Sequence, residues 1–249
     1  MKFATVPWGA LPGVSALFAA YVSSSDSAAR FFRHAPFTET GRRQAAAEAL
    51  SGGAPREELV RALRQLNGDR PSLDILARPD SVAVVTGQQA GLFGGPAYTL
   101  YKALTAIRVA QQLSGQGIPA VPVFWIATED HDLAEVSSTH VFDTRIRPVR
   151  LEAQAGLHAG GPVGRIPLPD PPLRLLAEAL DGFLHTGEVL ECAASAYRPG
   201  RTFGEAFHAL LDHLLGKFGL VFIDPLAPEI RRLAAPLMAR AWEQREPLG

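Results

Sequence analysis

The chain has 249 residues, 47 % of them apolar and 20 % charged, against roughly 25 % charged in an average soluble protein. That is ample for a core and excludes disorder, which needs low hydrophobicity with high net charge. A net charge of −1 lacks the basic stripe of nucleic-acid or anionic-membrane binders, and the single Cys192 excludes an intrachain disulfide and a cysteine-rich zinc site.

The N-terminal residues 14–34 read as a helix anchored by Leu17, Phe18, Tyr21, Phe31 and Phe32, with Ser23–Ser27 as a stretch that can break it. An Ala-rich helix follows at about 38–50. A third spans about 55–67, with Pro55 in its first turn and Leu59, Leu63 and Leu66 at helical spacing. Residues 69–80, with Pro71 and Pro79, read as a connecting loop. No apolar run reaches the ~20 residues of a membrane span, and prolines interrupt the N-terminus as a signal peptide. A soluble, cytoplasmic protein with no membrane or nucleic-acid partner is expected.

Residues 81–128 carry only Lys102 and Arg108 as charges. Within them, 81–86 is a β-branched strand, Gly87–Gly95 a glycine-rich loop and 97–114 a helix started by Pro96, expected to bury Leu100, Leu104, Ile107 and Leu113. Residues 121–127 form a second strand, apolar on both faces as in a buried parallel sheet. Strand, helix, strand is a βαβ unit with a right-handed crossover. Residues 147–152 and 164–167 are short strand candidates that can form a hairpin. Helices are expected at about 170–184 and 187–197. Thr202-Phe-Gly-Glu205 is a capping box opening a helix over 203–216, with Phe203, Phe207, Leu210, Leu211 and Leu214 inward. Residues 219–225 read as a third strand ending on Asp224, and a last helix covers about 228–244. The alternation argues α/β with a largely parallel sheet. The chain stops at Glu246-Pro-Leu-Gly249, which does not read as a natural last element, so further sequence is expected.

Ligands of open parallel sheets bind at the carboxyl ends of strands. Three strand ends are polar: Thr86-Gly87-Gln88-Gln89, Thr128-Glu129-Asp130-His131-Asp132, and Asp224. Glycines such as Gly91 and Gly94 let backbone approach a ligand, the following helix start favours an anion, and Tyr98 and Lys102 share a helix face. The loop is neither a P-loop nor a dinucleotide fingerprint, and a tight turn would use the same glycines. Glu129, Asp130, His131 and Asp132 repel one another unless exposed, paired or cation-bound. Candidate roles are Mg²⁺ coordination by Asp130 and Asp132, acid or base work by His131, and capture of an ammonium. The plain alternative is an acidic helix start with Asp130 or Asp132 as cap. Asp224 serves equally as a turn residue or a ligand contact. Cys192 and the histidines 34, 140, 158, 185, 208 and 213 read as packing or surface residues.

Thr86-Gly-Gln-Gln-Ala-Gly-Leu-Phe-Gly-Gly-Pro96-Ala-Tyr-Thr-Leu-Tyr-Lys102, followed by Val123-Phe-Trp-Ile-Ala-Thr-Glu-Asp-His-Asp132, resembles the BshC family, the cysteine-adding enzyme of bacillithiol biosynthesis. Thr202–Phe207 and Gly219–Pro225 are similar to it too, while Leu133-Ala134 is lighter than the aromatic expected there. The resemblance implies a Rossmann-like core of mainly parallel sheet preceded by N-terminal helices, with the C-terminal part of the family fold missing. Residues 1–80 would be a helical segment packing on the core. Residues 81–249 would be the incomplete core, with a short strand and helix insertion at about 145–200. It further implies amide formation between the carboxyl of cysteine and the amine of glucosaminyl-malate, and a homodimer through a C-terminal coiled coil absent here. Such a reaction needs an activated acyl group, so ATP or ADP with Mg²⁺ is expected. The Gly87–Gly95 loop and Lys102 would sit at phosphate or carboxylate oxygens, Asp130, His131 and Asp132 at the amine or metal, and Asp224 would close the site. Rival readings are a nucleotidyl transferase-like enzyme on another small substrate and a non-catalytic nucleotide-binding module. These 249 residues alone are expected to be inactive.

Overall fold

The computed structural model describes residues 4–23, 26–53, 55–153 and 161–245. His158 and the C-terminal residues 246–249 therefore lie outside the described residues. The chain divides into two compact units, Met1–Ala54 and Pro55–Gly249.

In the first unit, α1 spans Ala16–Val22 and α2 spans Asp26–Ala29. The helix expected over 14–34 is thus shorter. The Ser23 hydroxyl donates to the Ala19 carbonyl at 2.5 Å, the local competition that makes serine a helix stop. Helix α3, Glu39–Ser51, starts where Thr38 accepts the Gly41 N–H at 3.0 Å. Tyr21 packs on Phe32, their rings 4.4 Å apart. The other four expected anchors, Leu17, Phe18, Phe31 and Phe32, remain exposed.

The second unit begins with α4 (Arg56–Asn67) and α5 (Pro71–Ala77). Residues 69–80 are therefore not a plain loop. Pro71 occupies the first helical turn, where its missing N–H costs nothing, and Leu73 and Leu76 are buried. Next come β1 (Val82–Gln88), α6 (Tyr98–Gly115), β2 (Ala120–Ile126) and the single turn α7 (Leu133–Val136). A hairpin, β3 (Ser138–Phe142) and β4 (Pro148–Glu152), leads to α8 (Leu173–Leu180), α9 (Thr186–Ala196) and α10 (Phe203–Leu215). The chain then forms β5 (Val221–Ile223) and α11 (Pro228–Glu243). The hairpin partner of β4 is β3, not 164–167. Residues 163–165 make a 3-10 turn, and Pro167 forms an isolated bridge to Thr202.

Strands β1, β2 and β5 form a parallel sheet in that order, Val82 facing Ala120 and Phe124 facing Phe222. Alternate residues serve opposite faces. Phe124, Ile126 and Phe222 enter a core with Ala103 and Ile107 of α6 and Phe207 and Leu211 of α10. Val121, Val123 and Val221 meet Val60 and Leu63 of α4, Leu73 and Leu76 of α5, and Ile230 of α11. Burying each such Phe or Val contributes roughly 1.5–3 kcal/mol. Burial on both faces explains why β2 reads as a continuous apolar run, whereas the edge strand β1 leaves Val85 exposed.

Helix α6 buries Ile107 and Leu113 as expected, but Leu100 and Leu104 are exposed. Its inward face is built of small residues, Thr99, Ala103, Ala106 and Ala110, which let it lie close on the sheet. Leu214 of α10 is likewise exposed. At the far edge, β5 is closed by side chains. The buried Asn67 accepts the Phe222 N–H at 2.7 Å and donates to the Phe222 carbonyl at 2.8 Å, as a further strand would. Arg70 donates to the Leu220 carbonyl at 2.7 Å and pairs with Asp212 at 3.0 Å.

Candidate functional site

The three polar strand ends meet at one edge of the sheet, because β1, β2 and β5 are parallel and adjacent. Strand β1 runs two residues beyond the expected 81–86, so Gly87 and Gln88 belong to it. Gly87 lies so close to β2 that a Cβ there would come 2.7 Å from the Trp125 carbonyl oxygen. Thr86 is half-buried just before it.

From this edge a chain of polar contacts crosses from α6 to α7. Lys102 Nζ donates to the Gly87 carbonyl at 3.1 Å and to Gln88 Oε1 at 2.7 Å, and lies 5.2 Å from the centre of the Tyr98 ring. Gln88 Nε2 donates to Gln89 Oε1 at 2.7 Å and to the Tyr98 hydroxyl at 3.2 Å. Gln89 Nε2 donates in turn to Asp130 Oδ2 at 3.1 Å and Glu135 Oε2 at 2.9 Å. Lys102, Tyr98, Gln88, Gln89 and Asp130 thus form one network. An ammonium has three N–H donors. Two of those on Lys102 are used here.

The acidic stretch divides by role. Asp130 Oδ1 accepts the N–H groups of His131 at 2.7 Å and Asp132 at 3.3 Å. Burial pushes the Asp130 carboxyl up. These two N–H groups, the Gln89 amide and the nearby His131 outweigh it and hold the carboxyl below its ordinary range. Asp132 caps α7, accepting the Glu135 N–H at 3.0 Å. The His131 side chain is 85 % exposed, with Nδ1 3.8 Å from Asp130 Oδ1. Glu129 accepts from the Trp125 indole at 3.1 Å. Among the described residues no group of three or more His, Cys, Asp or Glu side chains is placed to hold a metal ion. Asp130 Oδ1 and Asp132 Oδ1 serve as backbone acceptors.

The glycine loop is a fixed turn. Phe93, Gly94 and Gly95 have φ of 50°, 89° and 69°, and the Phe93 ring meets Tyr197 edge-on, with centroids 4.9 Å apart. The buried Tyr197 hydroxyl donates to the Gly91 carbonyl at 3.0 Å and accepts the Gly94 N–H at 3.1 Å. Gly91 and Gly94 are buried. The Gly91 and Gly95 N–H groups also bond within the loop. The N–H groups of these three glycines are spent internally, so they do not fit a phosphate cradle. The loop shapes and holds the Gln88–Gln89 end instead.

Between the ends of β2 and β5 a second polar group gathers, mostly from residues the sequence did not single out. Thr128 donates to Asp224 Oδ1, which also accepts the Leu226 N–H at 2.9 Å. Thr128 is wedged between Gly164 and Gly204, and its neighbours are pinned by Gly164 N–H to Thr128 carbonyl at 2.9 Å and Val163 N–H to Asp130 carbonyl at 2.7 Å. A cavity of about 410 Å³ opens beside it, with Arg201, Glu205, His208 and Asp224 in its wall. Of these, only Asp224 was visible in the sequence as a strand end. Gly204 and His208, four apart on one helix face, are the signal that could have found the rest.

No helix among the described residues is long and apolar enough to cross a membrane. A family model described as "Bacillithiol biosynthesis BshC, N-terminal Rossmann-like domain" matches residues 1–248. A Solibacter usitatus protein named "Putative cysteine ligase BshC" is 43 % identical over 234 residues, 94 % of this chain and 44 % of that protein. Proteins of the same name from Salinibacter ruber and Koribacter versatilis are 36 % and 34 % identical, covering 94 % and 95 % of this chain and 45 % of each relative. The chain spans less than half the length of these curated relatives.

Proposed function

The chain belongs to the BshC family, matching its N-terminal Rossmann-like domain, and from that premise we propose that it serves a cysteine ligase of bacillithiol biosynthesis. The reaction would join the carboxyl of cysteine to the amine of glucosaminyl-malate. A free carboxylate does not acylate an amine, so its oxygen must first become a leaving group, as an acyl phosphate or acyl adenylate made from a nucleotide. The observation that carries the reading is the convergence of three parallel strand ends on one polar edge, the place where sheets of this class bind small molecules. Lys102, with one of its three N–H donors left over, supplies a cation for carboxylate or phosphate oxygens, and Gln88 and Gln89 hold it in place. Asp130 and Asp224 supply anionic acceptors.

Deleting the full-length gene and profiling thiols tests this. Bacillithiol is expected to disappear while glucosaminyl-malate accumulates. Unchanged bacillithiol in a strain with no second copy would overturn it.

A further inference from the structure

The cavity between the ends of β2 and β5 holds an unspent group. The His208 Nε2 is enclosed and has no hydrogen-bond partner among the described residues. Its ring stands edge-on to Phe222, with centroids 4.8 Å apart. A buried polar atom without a partner costs about 1–3 kcal/mol, so it calls for a functional explanation. Its surroundings are polar. Asp224 Oδ1 takes two donors, while Oδ2 takes none among the described residues. Glu205 spends Oε2 on the Thr202 N–H of the capping box, leaving Oε1. Arg201 is the one guanidinium in the wall, and it donates to the Ser195 and Ala196 carbonyls.

Two carboxylates against one guanidinium leave the cavity wall net negative around a neutral imidazole. Such a wall suits a primary ammonium. The volume of about 410 Å³ lies within the ~300–1,000 Å³ of small-molecule sites. We propose that this cavity receives the acceptor amine of the ligase reaction, with Asp224 holding the ammonium and His208 Nε2 taking its proton. The assignment rests on the reading of the chain as part of an amide-forming ligase.

The step balances as follows. The ammonium gives one proton to the lone pair of His208 Nε2, leaving a neutral amine and an imidazolium. The amine lone pair forms a C–N bond to the carbonyl carbon of the activated cysteine. The bond from that carbon to the phosphate or adenylate oxygen breaks, and the oxygen keeps the electron pair. The second nitrogen proton departs with that phosphate. The imidazolium returns its proton to water. Burial lowers the His208 imidazole below its ordinary range; Asp212 and Asp224 raise it and Arg70 and Arg201 lower it, leaving the net direction down. The base is therefore neutral and ready at physiological pH.

The test is an imidazole ¹⁵N NMR titration of this chain with glucosaminyl-malate, and with its N-acetylated form as control. The His208 Nε2 resonance is expected to shift with the amine and not with the acetamide. Asp224→Asn keeps the acceptor for Thr128 and Leu226 but removes the charge, and is expected to weaken amine binding at least tenfold. Amine affinity is expected to fall as pH drops through the His208 titration, with Arg201 and Arg70 adding to the repulsion and Asp224, Glu205 and Asp212 opposing it. In a folded His208→Asn variant that fall disappears. Equal shifts with both ligands would overturn the assignment. So would an amine response at Lys102, Gln88 and Asp130 with none at His208, a result that leaves the ligase reading standing. Silence at both places overturns the assignment, while the deletion experiment still decides the ligase reading on its own.

Discussion

Tyr197 shows how one side chain from a distant helix sets the geometry of the site. It is fully buried, and burial drives its phenol pKa upward, so the hydroxyl stays protonated and available as a donor. That hydroxyl satisfies both the Gly91 carbonyl and the Gly94 N–H. Tyr197→Phe keeps the ring that supports Phe93 but removes the two hydroxyl bonds, leaving the Gly94 N–H and the Gly91 carbonyl only their bond to each other at 3.1 Å. A hydrogen bond contributes about 0.5–1.5 kcal/mol net, so a loss of about 1 kcal/mol is expected in urea unfolding. Binding at Gln88 and Gln89 should weaken too, because the turn holding them loosens. An unchanged unfolding midpoint would show that water replaces the hydroxyl and that the loop does not depend on it.

Thr128 couples two elements: the 163–165 turn packs on one side of it and the start of α10 on the other. A Cβ added at Gly164 would collide with the Thr128 side chain, which is itself held by Asp224. Gly164→Ala is therefore expected to destabilise by about 1–3 kcal/mol, the usual cost of overpacking. The displaced 128–130 segment should also move the Asp130 and Asp224 resonances. A variant as stable as the parent, with those resonances unmoved, would show that the turn yields freely. The same geometry explains what the sequence could reveal. Strand β2 was legible because burial on both faces leaves an apolar run that charge cannot interrupt, and β1 because its residues are β-branched. Gln88, Gln89, Asp130 and Asp224 followed from the strand-end rule, and Lys102 from its helical spacing to Tyr98. Helix α5 was hidden because Pro71 marks a helix start and a loop equally well. The meeting of His208 and Arg201 with Thr128 depends on which distant segments pack together. No local pattern encodes that.

The two units differ in how much they can hold together unaided. Both apolar clusters, on either side of the sheet, lie wholly within residues 55–249. The edge of that sheet at β5 is finished by Asn67 and Arg70 from the same unit. In the first unit the buried apolar residues among those described are Ala28 and Ala46, while Trp8, Phe31 and Phe37 stay more than half exposed. Its helices are also short, α1 with 7 residues and α3 with 13. Isolated helices below about 12–15 residues are marginal in water, and a domain this small rarely buries enough to offset its ordering entropy. Residues 55–249 expressed alone are therefore expected to keep a cooperative thermal transition, followed by near-UV circular dichroism. Residues 1–54 alone should show only weak, gradually melting helicity. A cooperative melt of the 1–54 piece, or its absence in 55–249, would mean that the stability of the sheet is not contained in the elements that build it. In that case Asn67, Arg70 and the two cores would not suffice to hold the strand ends in register at the site.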